Sequence, residues 1–300
     1  MGHTAVKRSL CSPEEDEVSI KRCRRDVMAK LTDKFTLHRG RLHKCADGAA
    51  SHPWQTKTHL RHVSTQDRNF YVAALYTLTN NLGLSQETVH MCISLLDRFL
   101  KIQPITLEWL EVVSIACIWI TAKFNETQAT LDSLRIKETL QQRQGRGKGN
   151  WSWHHVLVLE CQILKRLGFR ILHPTLLTRF QQDVVAGTVE LTDAQLADAQ
   201  YFLDLSLMDA SFQTFAPEDV VDAIVFLTTE FQPNSNFPFE SMEARVRDPL
   251  VRFFLLHLKL QDDVTNQPLH KALICKHNAT LSAPWHHAKA PSCACRICHS

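Results

Sequence analysis

Glycine and proline are scarce in this chain, 9 and 11 among 300 residues, and they lie mostly outside its periodic apolar segments. Few stretches alternate apolar with polar side chains, so half-buried strands have little to be built from. Strong charge of either sign is also missing. The formal net charge is +3, too small to imply nucleic-acid binding by bulk electrostatics, and the basic residues are spread out except near the N-terminus. No apolar segment follows Met1, and the apolar run of residues 112–122 is well short of the roughly 20 residues that cross a bilayer. The expectation is an intracellular, all-α protein without a membrane span. Its ten cysteines then read as free thiols, core fillers or metal ligands rather than disulfides.

Catalytic signatures are missing too. No metalloprotease helix, kinase loop or nucleophile elbow occurs, which argues against an enzyme. The Gly-rich basic loop of residues 144–150 fails the P-loop pattern, because Gln142 stands five before Gly147 and Lys148 is followed by Gly149. It reads as a solvated connection.

What is present is helical. Residues 107–124 carry apolar side chains on every face and almost no internal charge, the pattern of a helix buried all round, and they end in Lys123 and Phe124. Ser64 or Thr65 can cap a helix running to about Leu82, which Gly83 would end in a left-handed turn. Ser85 caps the next, through Leu100, and Pro104 and Thr106 open the central one. A shorter helix is expected over about 130–142, and a fifth over about 153–167, closed by Gly168. Cys92, Cys117 and Cys161 fall in these segments as small buried hydrophobes.

A second half then echoes the first. Pro174 reads as the first residue of a helix, Thr192 and Gln195 as a capping box, Pro217 as the opening of a third helix, and Asp248-Pro249 as the start of the last. Ser94-Leu95-Leu96-Asp97 is matched by Ser206-Leu207-Met208-Asp209, and residues 116–124 by 223–231. Two divergent five-helix units in tandem account for this. The divisions are an irregular arm over 1–50, a first unit over 51–172, a second over 173–262 and a Cys/His-rich tail over 263–300.

The arm sets an acidic run between two basic clusters, Lys7-Arg8 and Lys21, Arg22, Arg24, Arg25. This resembles a bipartite nuclear import signal, and a solvated charged tail is the other reading. The nucleus is the expected location, with the cytoplasm also open. In the tail, Cys293, Cys295, Cys298 and His299 have zinc-ligand types and spacing, with Cys275, His277, His286 and His287 nearby; a tail of reactive thiols without metal is the alternative.

Residues 65–260 resemble the cyclins, two cyclin boxes in tandem. Glu87-Thr88-Val89-His90, Leu96-Asp97-Arg98-Phe99-Leu100 and Thr121-Ala122-Lys123-Phe124-Asn125-Glu126 stand in the family's order and spacing. Leu164-Lys165-Arg166-Leu167-Gly168-Phe169 followed by Pro174 resembles the junction between boxes. The resemblance implies a regulatory subunit of a cyclin-dependent kinase, with no cofactor of its own. Lys123, Phe124 and Glu126 would lie in the kinase-binding motif, with Asp132 or Glu138 as the acidic companion of Lys123. Arg68 and Asp97 would form a structural ion pair within the first box. Taken alone, Lys123 could equally be a cation complementing its own helix dipole.

The chain departs from the family at a docking groove for substrate peptides. Its matching positions hold Asp67, Arg68, Asn69, Phe70, Tyr71 and Ala74, of which only the arginine fits. Divergence of this degree, with the odd arm and tail, resembles a virus-encoded cyclin such as those of fish retroviruses, which would act on host kinases and host transcription. The alternative is a cyclin-fold transcription regulator or adapter that works through protein partners, the transcription machinery included, without activating a kinase. A DNA-gripping initiation factor fits poorly, since Cys11, Cys23 and Cys45 have no paired zinc-ribbon spacing.

Overall fold

The computed structural model describes residues 63–126, 138, 151–230, 242–262, 273, 276 and 277, all in the second of two compact units, residues 57–300. The basic clusters Lys7-Arg8 and Lys21, Arg22, Arg24, Arg25, the loop of 144–150, Asp132, and the tail cysteines with His299 lie outside the described residues. Among the described residues every regular element is a helix. None of these is long and apolar enough to cross a membrane.

Local chemistry sets the helix boundaries. Helix α1, Thr65–Asn81, starts in a reciprocal capping box: the Asp67 amide donates to Ser64 Oγ at 3.2 Å and the Ser64 amide to Asp67 Oδ2 at 3.0 Å. It ends at Gly83, whose φ of 68° is open to glycine at little steric cost, while the Leu84 amide reaches back to the Thr79 carbonyl. Helix α2, Gln86–Ile102, is capped by Ser85. Helix α3, Leu107–Asn125, follows the short connection through Pro104.

Helix α4, Trp153–Arg166, closes at Gly168 in the same left-handed way as α1. Helix α5 is Leu176–Val185 and α6 is Asp193–Leu207, the latter with the expected Thr192–Gln195 box. A 3₁₀ turn, Ala210–Thr214, leads to α7, Pro217–Thr229, with its proline at the first helical position. Helix α8 is Ala244–Asp262.

Two expected boundaries move. Pro174 is not the first residue of α5; Thr175 is the cap, its hydroxyl accepting from the Thr178 amide at 3.1 Å, and this side-chain cap fixes the start after the proline. Pro249 lies inside α8 instead of opening it. The helix begins a turn earlier, at Ala244, where the Val246 and Arg247 amides donate to the Glu243 carbonyl at 3.1 and 3.0 Å. A proline this close to the N-terminus forfeits few intrahelical bonds.

The central position of α3 follows from its composition. Val112, Val113, Ala116, Cys117, Ile118 and Ala122 are wholly buried, and α1, α2 and α4 pack around it. Helix α7 is placed likewise among α5, α6 and α8, with Val220, Ala223 and Ile224 at zero exposure. Cys92 and Cys117 are core fillers as expected, and burial pushes the Cys92 thiol up to about 12, so it stays protonated and inert near neutrality. Cys161 is only half-buried.

Polar anchors then orient the helices. Arg68 grips Asp97 through two bonds, Nε to Oδ1 at 2.9 Å and Nη2 to Oδ2 at 2.6 Å, and donates from Nη1 to the Leu207 carbonyl at 2.7 Å. The expected pair inside the first group of helices is thus also a tie to α6. Asp209, at the position that echoes Asp97, pairs with Arg252 of α8 and accepts from the Ser211 amide at 2.9 Å. Burial alone would raise the Asp209 pKa, but the Ser211 amide and the Arg252 guanidinium outweigh it and hold the carboxyl below its ordinary value.

Removing Arg68, whose side chain is 7% exposed, takes donors from the half-buried Asp97 carboxylate and from the Leu207 carbonyl. Arg68→Met is therefore expected to cost about 3 kcal/mol in chemical denaturation, the low end for a broken buried pair. A depressed carboxyl pKa stabilises fully above the unfolded value and loses that contribution as pH falls through the lower folded value. Asp209→Asn is therefore expected to lower the melting temperature at pH 7 and to flatten its fall below about pH 4, read by thermal melts across pH.

Candidate functional site

Helix α3 is buried along most of its length but surfaces at its last turn. Trp119 and Lys123 stand four residues apart, on one face, and both turn toward α4. There they meet one carboxylate. Glu160 accepts from the Lys123 ammonium on Oε1 and from the Trp119 indole Nε1 on Oε2 at 3.0 Å. The ammonium also lies 4.8 Å from the centre of the Trp119 ring, and Trp153 packs edge-on against that ring at 5.1 Å. The lysine side chain is 36% exposed and the glutamate 15%.

The glutamate is thus largely covered while the ammonium is partly exposed. Exposed apolar side chains lie on α4 and just past its end. Leu157, one turn before Glu160 on the same face of α4, is 41% exposed. Beyond the end of α4, Phe169 and Leu172 are each 60% exposed. Phe169 has a φ of 59°, a left-handed conformation unusual for a bulky residue, and its amide donates to the Leu164 carbonyl at 2.8 Å. The helix-ending motif thus presents an aromatic ring to solvent. Arg98 secures the segment by donating to the carbonyls of Arg170 and Ile171 at 2.7 and 3.3 Å.

The other expected contact residues divide. Phe124 is half-buried beside Lys123. Glu126 is committed to the N-terminus of α2, accepting on Oε1 from the Ser85 amide at 2.8 Å and from Thr88 Oγ1 at 2.5 Å. Glu138 is helical and exposed, and Asp132 lies outside the described residues. Among the described residues the acid that bonds Lys123 is Glu160, on the next packed helix, where the family resemblance pointed to Asp132 or Glu138. A signal was present: Glu160 is the one acid in α4, WHHVLVLECQILKR, and an isolated acid in a helix otherwise apolar and basic invites a cation.

Three of the positions matched to the peptide-docking groove serve the fold. Asp67 caps α1, Arg68 holds Asp97, and Asn69 Oδ1 accepts from the Ala210 amide at 3.1 Å. Phe70 is 58% exposed, and Tyr71 and Ala74 are half-buried. Among the described residues no group of three metal-ligating side chains could hold an ion.

Residues 50–172 match the family described as "Cyclin, N-terminal domain". Through that stretch the chain is similar to the cyclin family. It is 26% identical to G2/mitotic-specific cyclin-B2 of Homo sapiens over 163 residues, covering 54% of this chain and 38% of that one. It is 27% identical to Cyclin-A2-3 of Arabidopsis thaliana over 180 residues, covering 59% and 38%. The chain thus spans less than half the length of these curated relatives. Among solved structures it is similar to a viral cyclin from herpesvirus saimiri, with a TM-score of 0.49 and 14% identity over 69% of this chain and 88% of that one, a likeness too distant to bear on function.

Because the Lys123–Glu160 pair is partly exposed, its contribution to folding is small. Lys123→Ala is expected to change unfolding free energy by less than about 1 kcal/mol. Equilibrium denaturation checks this and fixes Lys123 as a variant whose binding can be read free of unfolding.

Proposed function

We propose that the chain is a cyclin-like regulatory subunit that binds a cyclin-dependent kinase through the surface around Lys123 and Glu160 and modulates its activity. The observation that carries this reading is the partly exposed Lys123–Glu160 pair with the exposed Leu157 one turn away on the same face of α4. Apolar contact supplies most of the affinity in such a surface, and the charges fix the register of the partner. A helix of the kinase is the partner element this geometry suits. Holding that helix inward would let its glutamate pair with the ATP-binding lysine. The chain itself performs no chemistry in this role, and cell-cycle control is the setting that its relatives' names suggest.

In the same reading the second group of helices is a second cyclin box. Support comes from α7 packed among α5, α6 and α8 as α3 is among α1, α2 and α4, and from the Asp209–Arg252 pair beside the Asp97–Arg68 pair. Action in the nucleus, on transcription, and on a host's kinases where a virus encodes the chain, belongs to this proposal through the basic clusters and the divergence described above.

The test is a binding titration of the purified chain against a panel of purified cyclin-dependent kinases, with kinase activity read in parallel. Wild type is expected to bind at least one and change its activity. Lys123→Glu is expected to weaken binding at least about tenfold, the low end of what close interfacial charge pairs contribute. Binding with no change in activity would favour the adapter reading, and no binding to any kinase by folded protein would overturn the proposal.

A further inference from the structure

The most crowded polar cluster in the described chain lies away from the docking surface, around a single carboxylate with no exposure. Asp204 of α6 receives five donors. Gln86 Nε2 and His90 Nε2 of α2 each approach Oδ1 at 3.0 Å, and Tyr76 Oη of α1 donates to Oδ2 at 2.5 Å. The other two come from near the C-terminus: Lys276 Nζ and His277 Nε2, each 2.8 Å from Oδ2.

The charge on these groups decides what the cluster does. Tyrosine and glutamine are neutral donors, and the histidines carry charge only when protonated, so Lys276 is the permanent cation in the set. A carboxylate at zero exposure is costly without a compensating cation. Here the ammonium reaches in from the surface, its side chain 33% exposed, and lies 5.1 Å from the centre of the Tyr76 ring. Burial alone would raise the Asp204 pKa, but the hydrogen bonds from His277 and His90, then the charges of His90 and of Lys276, keep it well below the usual carboxylate range. The carboxylate is therefore ionised at neutral pH and requires its counter-charge.

Apolar contacts seat the same short segment. Leu273 is wholly buried and helical, as are Lys276 and His277 in backbone. The His277 ring is 5% exposed as a residue and packs edge-on against Tyr201 of α6 at 5.7 Å. Tyr201 in turn bonds His257 of α8 at 2.7 Å. One segment thereby touches α1 and α6 at once, over the joint where Tyr76, Gln86 and His90 of the first group meet Asp204 of the second.

We propose that Leu273, Lys276 and His277 form a strap that locks the joint between the two groups of helices, with the buried charge of Asp204 as its catch. Seated, the strap supplies the cation that lets Asp204 stay ionised inside the protein. Unseated, it leaves that charge uncompensated, and the joint must open to admit water. The relative placement of the two groups is thus under the control of a segment outside both, and whatever displaces or neutralises Lys276 loosens it.

The test is hydrogen–deuterium exchange on the full chain, comparing wild type with Lys276→Gln and His277→Gln. Lys276 reaches solvent, so its glutamine variant preserves the packed core. Lys276→Gln is expected to speed exchange at least about tenfold, the order produced by losing one charge-assisted hydrogen bond, in residues 273–277 and also around Asp204 in α6 and Tyr76 in α1. Exchange in α3 should stay within about twofold, as for a local opening. In an Asp204→Asn background the same lysine substitution should have little further effect, because no buried charge remains to be compensated. Faster exchange confined to residues 273–277 would make the segment a passenger and overturn the proposal. So would an unchanged pattern in Lys276→Gln, or an equal effect of the lysine substitution with and without the Asp204 charge.

Discussion

The structure depends on burying α3 from all sides. A helix with Val112, Val113, Ala116, Cys117, Ile118 and Ala122 at zero exposure can exist in water only inside a ring of other helices, and α1, α2 and α4 supply it. The same requirement explains where function can be placed. Most of α3 is inaccessible to a partner, so its chemistry is confined to the turn where it surfaces. That turn carries Trp119 and Lys123, and the neighbouring helix contributes the glutamate that fixes them.

Charged residues in this protein act as joints between apolar helices. Arg68 ties Asp97 of α2 and a carbonyl at the end of α6, Arg252 ties Asp209, and Asp204 gathers donors from α1, α2 and the segment of Lys276 and His277. Hydrophobic burial brings the helices together without specifying direction, and each of these pairs admits few arrangements. The Lys123–Glu160 and Arg252–Asp209 pairs are both partly exposed, and each contributes less to holding the fold than a fully buried pair would.

Three of the positions that a peptide-docking groove would use, Asp67, Arg68 and Asn69, are engaged in holding the fold. Asp67 caps a helix and Asn69 accepts from the turn after α6, so these side chains are spoken for. The family's activities need not all be present on one chain when the side chains that serve one of them hold the helices together instead.

Much of this was legible in the amino-acid order alone. Caps at Ser64, Ser85 and Thr192, glycine stops at Gly83 and Gly168, and the all-round apolarity of α3 are local patterns whose physics acts within a few residues. The Arg68–Asp97 pair and Lys123 were legible through family resemblance. Glu160 as the partner of Lys123, the early start of α8 and the five donors on Asp204 were not, because each joins residues far apart in the chain. Sequence by itself determined which segments would be helices and which faces had to be buried, since those follow from short-range backbone and side-chain preferences. Which charge meets which was decided only by the tertiary structure, because an ion pair depends on distances that exist once the helices have packed.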